Sequence, residues 1–226
     1  MVAAIIVAAG SGTRMGEGTD KLFLELAGRP VVGHTWDRFD GLPEIDEIVL
    51  VVRGGRQGEF EELGAALSAA KPHRIVEGGE ERQDSVWNGL MAVSCGVDIV
   101  AIQDGARPCT DAGLIVRTIE AARETGAAVA AGCVTDTIKE SDAAGLVARH
   151  INRDSLRAVQ TPQAFQLKVI CQALKAVRDQ ARRVTDDTAA CELIGQPVKL
   201  VESDTPNPKV TRASDLPWIE QLLRGQ

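Results

Sequence analysis

Short β-branched and alanine-rich runs alternate along this chain with longer stretches whose apolar residues recur at helical spacing, and that alternation restricts the fold most. Residues 2–9, 45–52, 73–77, 98–103 and 127–134 read as strands. Between them, residues 31–39, 59–70, 83–94 and 112–124 read as helices. Strands joined through helices pair in parallel, with the helices covering both faces of the sheet. Right-handed crossovers then give a doubly wound α/β fold with a mostly parallel sheet. The 226 residues suit one such domain, residues 1–226.

The rhythm breaks between residues 135 and 160, where "TDTIKESDAAGLVARHIN" reads as two polar strands around a turn at 142–145. So polar a ribbon has too little apolar face to stand alone and is expected to pack on something, a second copy of the chain being the natural candidate. Beyond it lie a helix at 167–180, another at 186–194 opened by a cap-like Thr185, and a strand at 198–202. A polar linker, "SDTPNPKVTR", leads to a last helix at 214–223.

Composition narrows the function. The formal net charge is -7, so an anionic ligand needs locally concentrated cations. Only 3% of residues are aromatic and Tyr is absent, which with the lack of basic blocks argues against nucleic-acid partners. The five cysteines, Cys95, Cys109, Cys133, Cys171 and Cys191, are widely spaced, with no CxxC pair. They suit a reducing cytoplasm and are expected as small buried apolar residues. No run approaches the roughly 20 apolar residues of a membrane helix. His34, His73 and His150 are scattered and read as structural.

The first strand runs into "GSGTRMGEGTDK" (10–21), a loop of the kind that holds phosphate. The dinucleotide fingerprint GxGxxG fails, because Met15 stands where the third glycine must pack a helix on the strand. The strand at 45–52 also ends in Arg53 rather than an acid for a ribose hydroxyl. No Lys-Ser/Thr pair follows a glycine at Walker spacing. What remains is a longer loop in which Gly10, Ser11 and Gly12 offer backbone N–H groups. Arg14 can fork across two phosphate oxygens, and Lys21 supplies a movable charge. The strand at 98–103 leads into Asp104, at the same edge, with Arg107 three residues on. One carboxylate beside phosphates is a common way to hold Mg²⁺; capping the next turn is the alternative role for Asp104.

Taken with "AAGSGTRMG" (8–16), "GRPVVGHT", "EGGEERQDSV", "DGARP", "TDTIK", "NRDSL", "TPQAF", "TDDTAACE" and "NPKVTRASDL", the chain resembles the 2-C-methyl-D-erythritol 4-phosphate cytidylyltransferases over almost its whole length. The resemblance implies a Rossmann-like fold of the nucleotide-diphospho-sugar transferase type with a protruding β-arm at about 135–157. It implies Mg²⁺-dependent transfer of CMP from CTP to a methylerythritol phosphate. Arg14 and Lys21 would stabilise charge at the α-phosphorus, and Asp104 would hold the metal. Ala8, Ala9, Gly10, Ser11, Gly12, Gly78, Gly79, Glu80 and Ser85 would bind the nucleotide. Arg107, Thr137, Arg153, Thr161, Thr185 and Lys209 would bind the acceptor, Thr137 and Arg153 reaching the partner's site across a homodimer.

Ribitol 5-phosphate is an alternative acceptor, and a non-catalytic nucleotide-binding subunit a second alternative. Two positions depart from the family pattern. Asp20 replaces a proline before Lys21, followed by Leu22 where a polar residue is common, and Glu80 replaces a frequent aspartate. An acid at position 20 would orient Lys21 or partly neutralise it.

Overall fold

The computed structural model describes residues 1–10 and 20–225. In chain order the elements are β1 (Val2–Ala8), β2 (Glu25–Leu26), β3 (Arg29–Pro30), α1 (Val31–Asp40), β4 (Glu47–Val52), α2 (Gln57–Leu67), β5 (His73–Glu77) and α3 (Arg82–Ala92). They continue as β6 (Ile99–Asp104), α4 (Ala112–Thr125), β7 (Ala127–Cys133), β8 (Ile138–Ser141), β9 (Val147–Ile151) and β10 (Arg157–Gln166). The chain closes with α5 (Leu167–Asp179), α6 (Asp187–Glu192), β11 (Lys199–Glu202) and α7 (Leu216–Arg224).

Seven strands form the main sheet in the order β11-β7-β10-β6-β1-β4-β5. Every neighbouring pair is parallel except those made by β10, which runs antiparallel to β6 and β7. The central strands β1, β4 and β6 are almost wholly buried, and their alternate residues feed opposite faces. One face packs Ala4, Ile6, Ile48 and Leu50 under Trp36, Phe39, Phe60, Ile115 and Ile219 from α1, α2, α4 and α7. The other packs Ala3, Ile5, Val49 and Val51 under Val86, Leu90, Ile170, Leu174 and Cys191 from α3, α5 and α6.

The chain winds outward from β1 through β4 to β5, then returns to lay β6 on the other side of β1. That reversal opens a crevice beyond the carboxyl ends of β1 and β6, where open α/β sheets bind ligands.

Three expectations need correction. The break in the strand rhythm does not extend to residue 160: residues 157–166 form β10, a strand of the main sheet. Its register shifts between Val159 and Gln163, and Thr161-Pro162 lies in that irregularity. Proline has no N–H for a ladder and is tolerated at such a site, which is why the segment does not read as a strand. Thr185 does not cap α6; Asp186 does, accepting the Ala189 N–H at 2.9 Å. Cys95 and Cys133 are exposed rather than buried, while Cys109 and Cys191 are buried. The ribbon itself, β8–β9, forms a separate two-stranded sheet, and nearly all of its side chains are exposed.

Candidate active site

Two cavities meet at the carboxyl edge of β1 and β6. The first, about 320 Å³, is lined by Ala8, Ala9, Gly10, Lys21, Gly79, Glu80, Arg82, Ser85, Asp104 and Lys209, among others. The second, about 260 Å³, is lined by Arg82, Asp104, Arg107, Gln160, Thr161, Thr185 and Lys209, among others. Asp104, Arg82 and Lys209 belong to both, so this trio is the wall between them.

Asp104 ends β6 and is held from several sides. Its Oδ2 accepts from the Lys209 ammonium at 2.7 Å and faces Arg107 Nε at 3.7 Å. Its Oδ1 lies 3.5 Å from Arg82 Nε, and its backbone N–H donates to Thr161 Oγ1 at 3.1 Å. Burial alone would raise its pKa, but Lys209 and Arg82 outweigh burial and lower it to about 2. Arg82 also donates to the fully buried Asp187 at 2.8 Å. Burial opposes the charge on Arg82, yet Asp187 and Asp104 hold it firmly protonated.

Asp104 links the site to acid stability. Its folded value lies below the ordinary 3.8, so the unfolded chain takes up the proton first as pH falls. The pairing therefore contributes in full above pH 3.8, about 2 kcal/mol, and the contribution is gone below about pH 2. Urea titrations of Asp104→Asn and the wild type at several pH values are expected to converge as pH falls through that window.

The floor of the first cavity explains two glycines. A Cβ on Gly78 would sit 2.4 Å from the Ala9 Cβ and 2.8 Å from Ser85 Oγ; one on Gly79 would sit 2.3 Å from the Asp84 Cβ. Ser85 is buried, accepting the Gly79 N–H at 3.1 Å and donating to the Glu81 carbonyl at 3.2 Å. Its hydroxyl therefore shapes the 78–81 loop as well as lining the cavity. Gly78→Ala overpacks that floor at a cost of about 1–3 kcal/mol. It is expected to weaken binding of a ligand in this cavity about tenfold and to leave a ligand of the second cavity unaffected, measured by titrating each ligand.

Of the residues expected from sequence, Ala8, Ala9, Gly10, Lys21, Gly79, Glu80, Ser85, Asp104 and Lys209 line the first cavity. Arg107, Thr161 and Thr185 line the second. Gly78 lies beneath the first, against Ala9. Ser11, Gly12 and Arg14 lie outside the described residues. Thr137 and Arg153 line neither cavity; both are exposed near the base of the ribbon, Arg153 donating to the Thr135 carbonyl.

Sequence reasoning missed Arg82. A cation in the first turn of a helix opposes the helix dipole, and that was the available signal that it answers to anions elsewhere. Asp20 is also clearer. It accepts the Leu22 N–H at 3.0 Å and pairs with Arg56 at 3.0 Å.

Among the described residues, no cluster of three or more metal-type ligands occurs. A single ionised carboxylate at the junction of the cavities suits only an ion held mainly by phosphate oxygens and water, as Mg²⁺ commonly is.

Residues 2–225 match the sequence model of a family described as "2-C-methyl-D-erythritol 4-phosphate cytidylyltransferase" (IspD). Similar proteins of that name include one from Pelotomaculum thermopropionicum, 42% identical over 100% of this chain and 95% of its own length. Another, from Geobacillus kaustophilus, is 43% identical over 99% and 97%. Among solved structures, the 4-diphosphocytidyl-2C-methyl-D-erythritol synthase of Anaerococcus prevotii superposes with a TM-score of 0.88 at 32% identity, covering 99% of this chain and 96% of that one. The cytidylyltransferase of Thermus thermophilus gives 0.79 at 30% identity, covering 99% and 100%. Its sequence and its overall fold thus agree: the chain belongs to the 2-C-methyl-D-erythritol 4-phosphate cytidylyltransferase family.

Proposed function

We propose that this chain transfers CMP from CTP to the phosphate of 2-C-methyl-D-erythritol 4-phosphate, releasing pyrophosphate, in the non-mevalonate route to isoprenoids. The observation that carries the reading is the pair of cavities sharing the Asp104–Arg82–Lys209 wall, one on the glycine-loop side and one on the Thr161–Thr185 side. A nucleotide fits the first and a small polyol phosphate the second, with the reacting atoms at the shared wall.

An oxygen of the acceptor phosphate attacks the α-phosphorus of CTP; that P–O bond forms as the bond to the bridging α–β oxygen breaks, and pyrophosphate departs. The acceptor phosphate is already anionic, so no general base is needed. Charge grows on the equatorial oxygens, and catalysis is positioning plus electrostatic stabilisation. Lys21, with Arg14, meets that charge. The 78–80 backbone reads the base edge, and Arg107, Thr161, Thr185 and Lys209 hold the acceptor phosphate. Mg²⁺ on Asp104, with other divalent cations as substitutes, would neutralise the triphosphate when bound. Lys209, now on the Asp104 carboxylate at 2.7 Å, would turn to the incoming phosphate.

The β8–β9 arm, within about 135–157, completes a partner's acceptor site in a homodimer, with Thr137 and Arg153 as its working residues. Exposure of Leu146 and Val147 on this arm, at 66% and 67%, supports a partner surface there. Pyrophosphate release from CTP is measured with methylerythritol phosphate and with ribitol 5-phosphate in turn. Turnover with ribitol phosphate alone would overturn the acceptor. A rise in Tm with CTP and Mg²⁺ but no turnover with either would leave only a binding subunit.

A further inference from the structure

The 81–84 segment, which follows the nucleotide-side residues Gly79 and Glu80, grips the 178–187 segment with four consecutive side chains. Glu81 accepts from Arg183 at 2.7 Å, Arg82 donates to Asp187 at 2.8 Å, and Asp84 faces Arg178 at 3.8 Å. Gln83 differs from its neighbours because it binds main chain at both ends of its amide. Its Nε2 donates to the Arg182 carbonyl at 3.0 Å, and its Oε1 accepts the Val184 N–H at 2.9 Å. Those bonds straddle Arg183 and fix the path of the chain into Thr185, on the acceptor cavity. The surface pair Arg183–Glu81 is 77% and 41% exposed and constrains little by comparison. Gln83 itself lines neither cavity.

We infer that Gln83 is a positioning residue for the acceptor half of the site: it sits on the element that follows the base-reading loop and sets the placement of Thr185 through the main chain on either side of Arg183. This rests on the proposed division of the cavities between nucleotide and acceptor. Because Gln83 acts through the 182–187 backbone, its loss should be felt by the acceptor and not by CTP.

The test is initial-rate kinetics and Tm for Gln83→Leu and Gln83→Glu, with the polyol phosphate that the wild type turns over. An error in the acceptor's identity therefore shows in the wild type and is separate from an error about Gln83. Two neutral hydrogen bonds to main chain are worth about tenfold together. Gln83→Leu is expected to raise the acceptor KM by about that factor, with CTP KM and kcat within about twofold of wild type. Gln83→Glu keeps the acceptor for Val184 N–H but, when ionised, cannot donate to the Arg182 carbonyl. Protonation restores a donor, so its acceptor KM, as a ratio to wild type, should fall toward one as pH is lowered. A wild-type acceptor KM in folded Gln83→Leu would overturn the inference. So would CTP and acceptor KM rising together with a lowered Tm, the pattern of a merely structural role. If Gln83→Leu does not fold, a pH-independent KM ratio for Gln83→Glu overturns it.

Discussion

Lys21→Ala is expected to lower kcat by about 10²–10³-fold, the loss typical of removing one preorganised charge-stabilising donor. Lys21 lines the first cavity at the edge of β1, and its ammonium rests on the Val210 carbonyl at 3.0 Å, next to Lys209. That contact places a cation at the edge of the first cavity, beside the segment that carries Lys209. The neighbouring Asp20 carboxylate pairs with Arg56, which itself stacks over Phe23. The CTP KM should change less than kcat, since the charge on the equatorial oxygens grows only toward the transition state. Pyrophosphate release at saturating substrates measures the effect. A wild-type kcat would remove Lys21 from the chemistry.

Mixing two crippled variants should recover activity that neither has alone. Arg153→Ala is expected to weaken acceptor binding above all, because the contact proposed for it is to a phosphate already present in the ground state. If Arg153 serves the partner's site, a mixed dimer of Lys21→Ala and Arg153→Ala chains holds one doubly damaged site and one intact site. Random exchange makes half the dimers mixed, so about a quarter of wild-type activity should return, against roughly 1% or less for Lys21→Ala alone. Rates are read at an acceptor concentration well below the Arg153→Ala KM, after denaturation and co-refolding of equal amounts. No gain over the sum of the separate variants would place Arg153 in its own chain's site or outside the chemistry. The exposed position of Arg153, away from both cavities of its own chain, is what makes the trans arrangement the one to test.

The legible parts of the fold were those in which one local pattern determines the outcome. The strand at 73–77, half-exposed at the sheet edge, and the starts of α1, α4 and α5 fall where the pattern puts them, because a short strand-like run between turns and a single apolar helical stripe have few alternative readings. β10 was hidden because it joins the sheet antiparallel, through an irregular stretch around Pro162, and is half polar: its first half is exposed and its second buried. The cap of α6 was missed by one residue, Asp186 for Thr185, since both side chains can cap and only the backbone path decides between them.

At the site, the sequence by itself determined the placement of Gly10 just after β1, of the acid at the end of β6 and of the cations Lys21 and Arg107 near that edge. Each of these follows from the chemistry of residues close together in the chain. Tertiary structure alone decided their partnerships. Lys209 meets Asp104 and Arg82 meets Asp187, each across 105 residues of chain. Lys21 meets Val210 across 189. Such contacts depend on which strand ends the crossovers bring together, and no local pattern carries that information. Arg82 shows the consequence: an ordinary cation at the start of a helix becomes, once the sheet is assembled, part of the wall shared by both cavities.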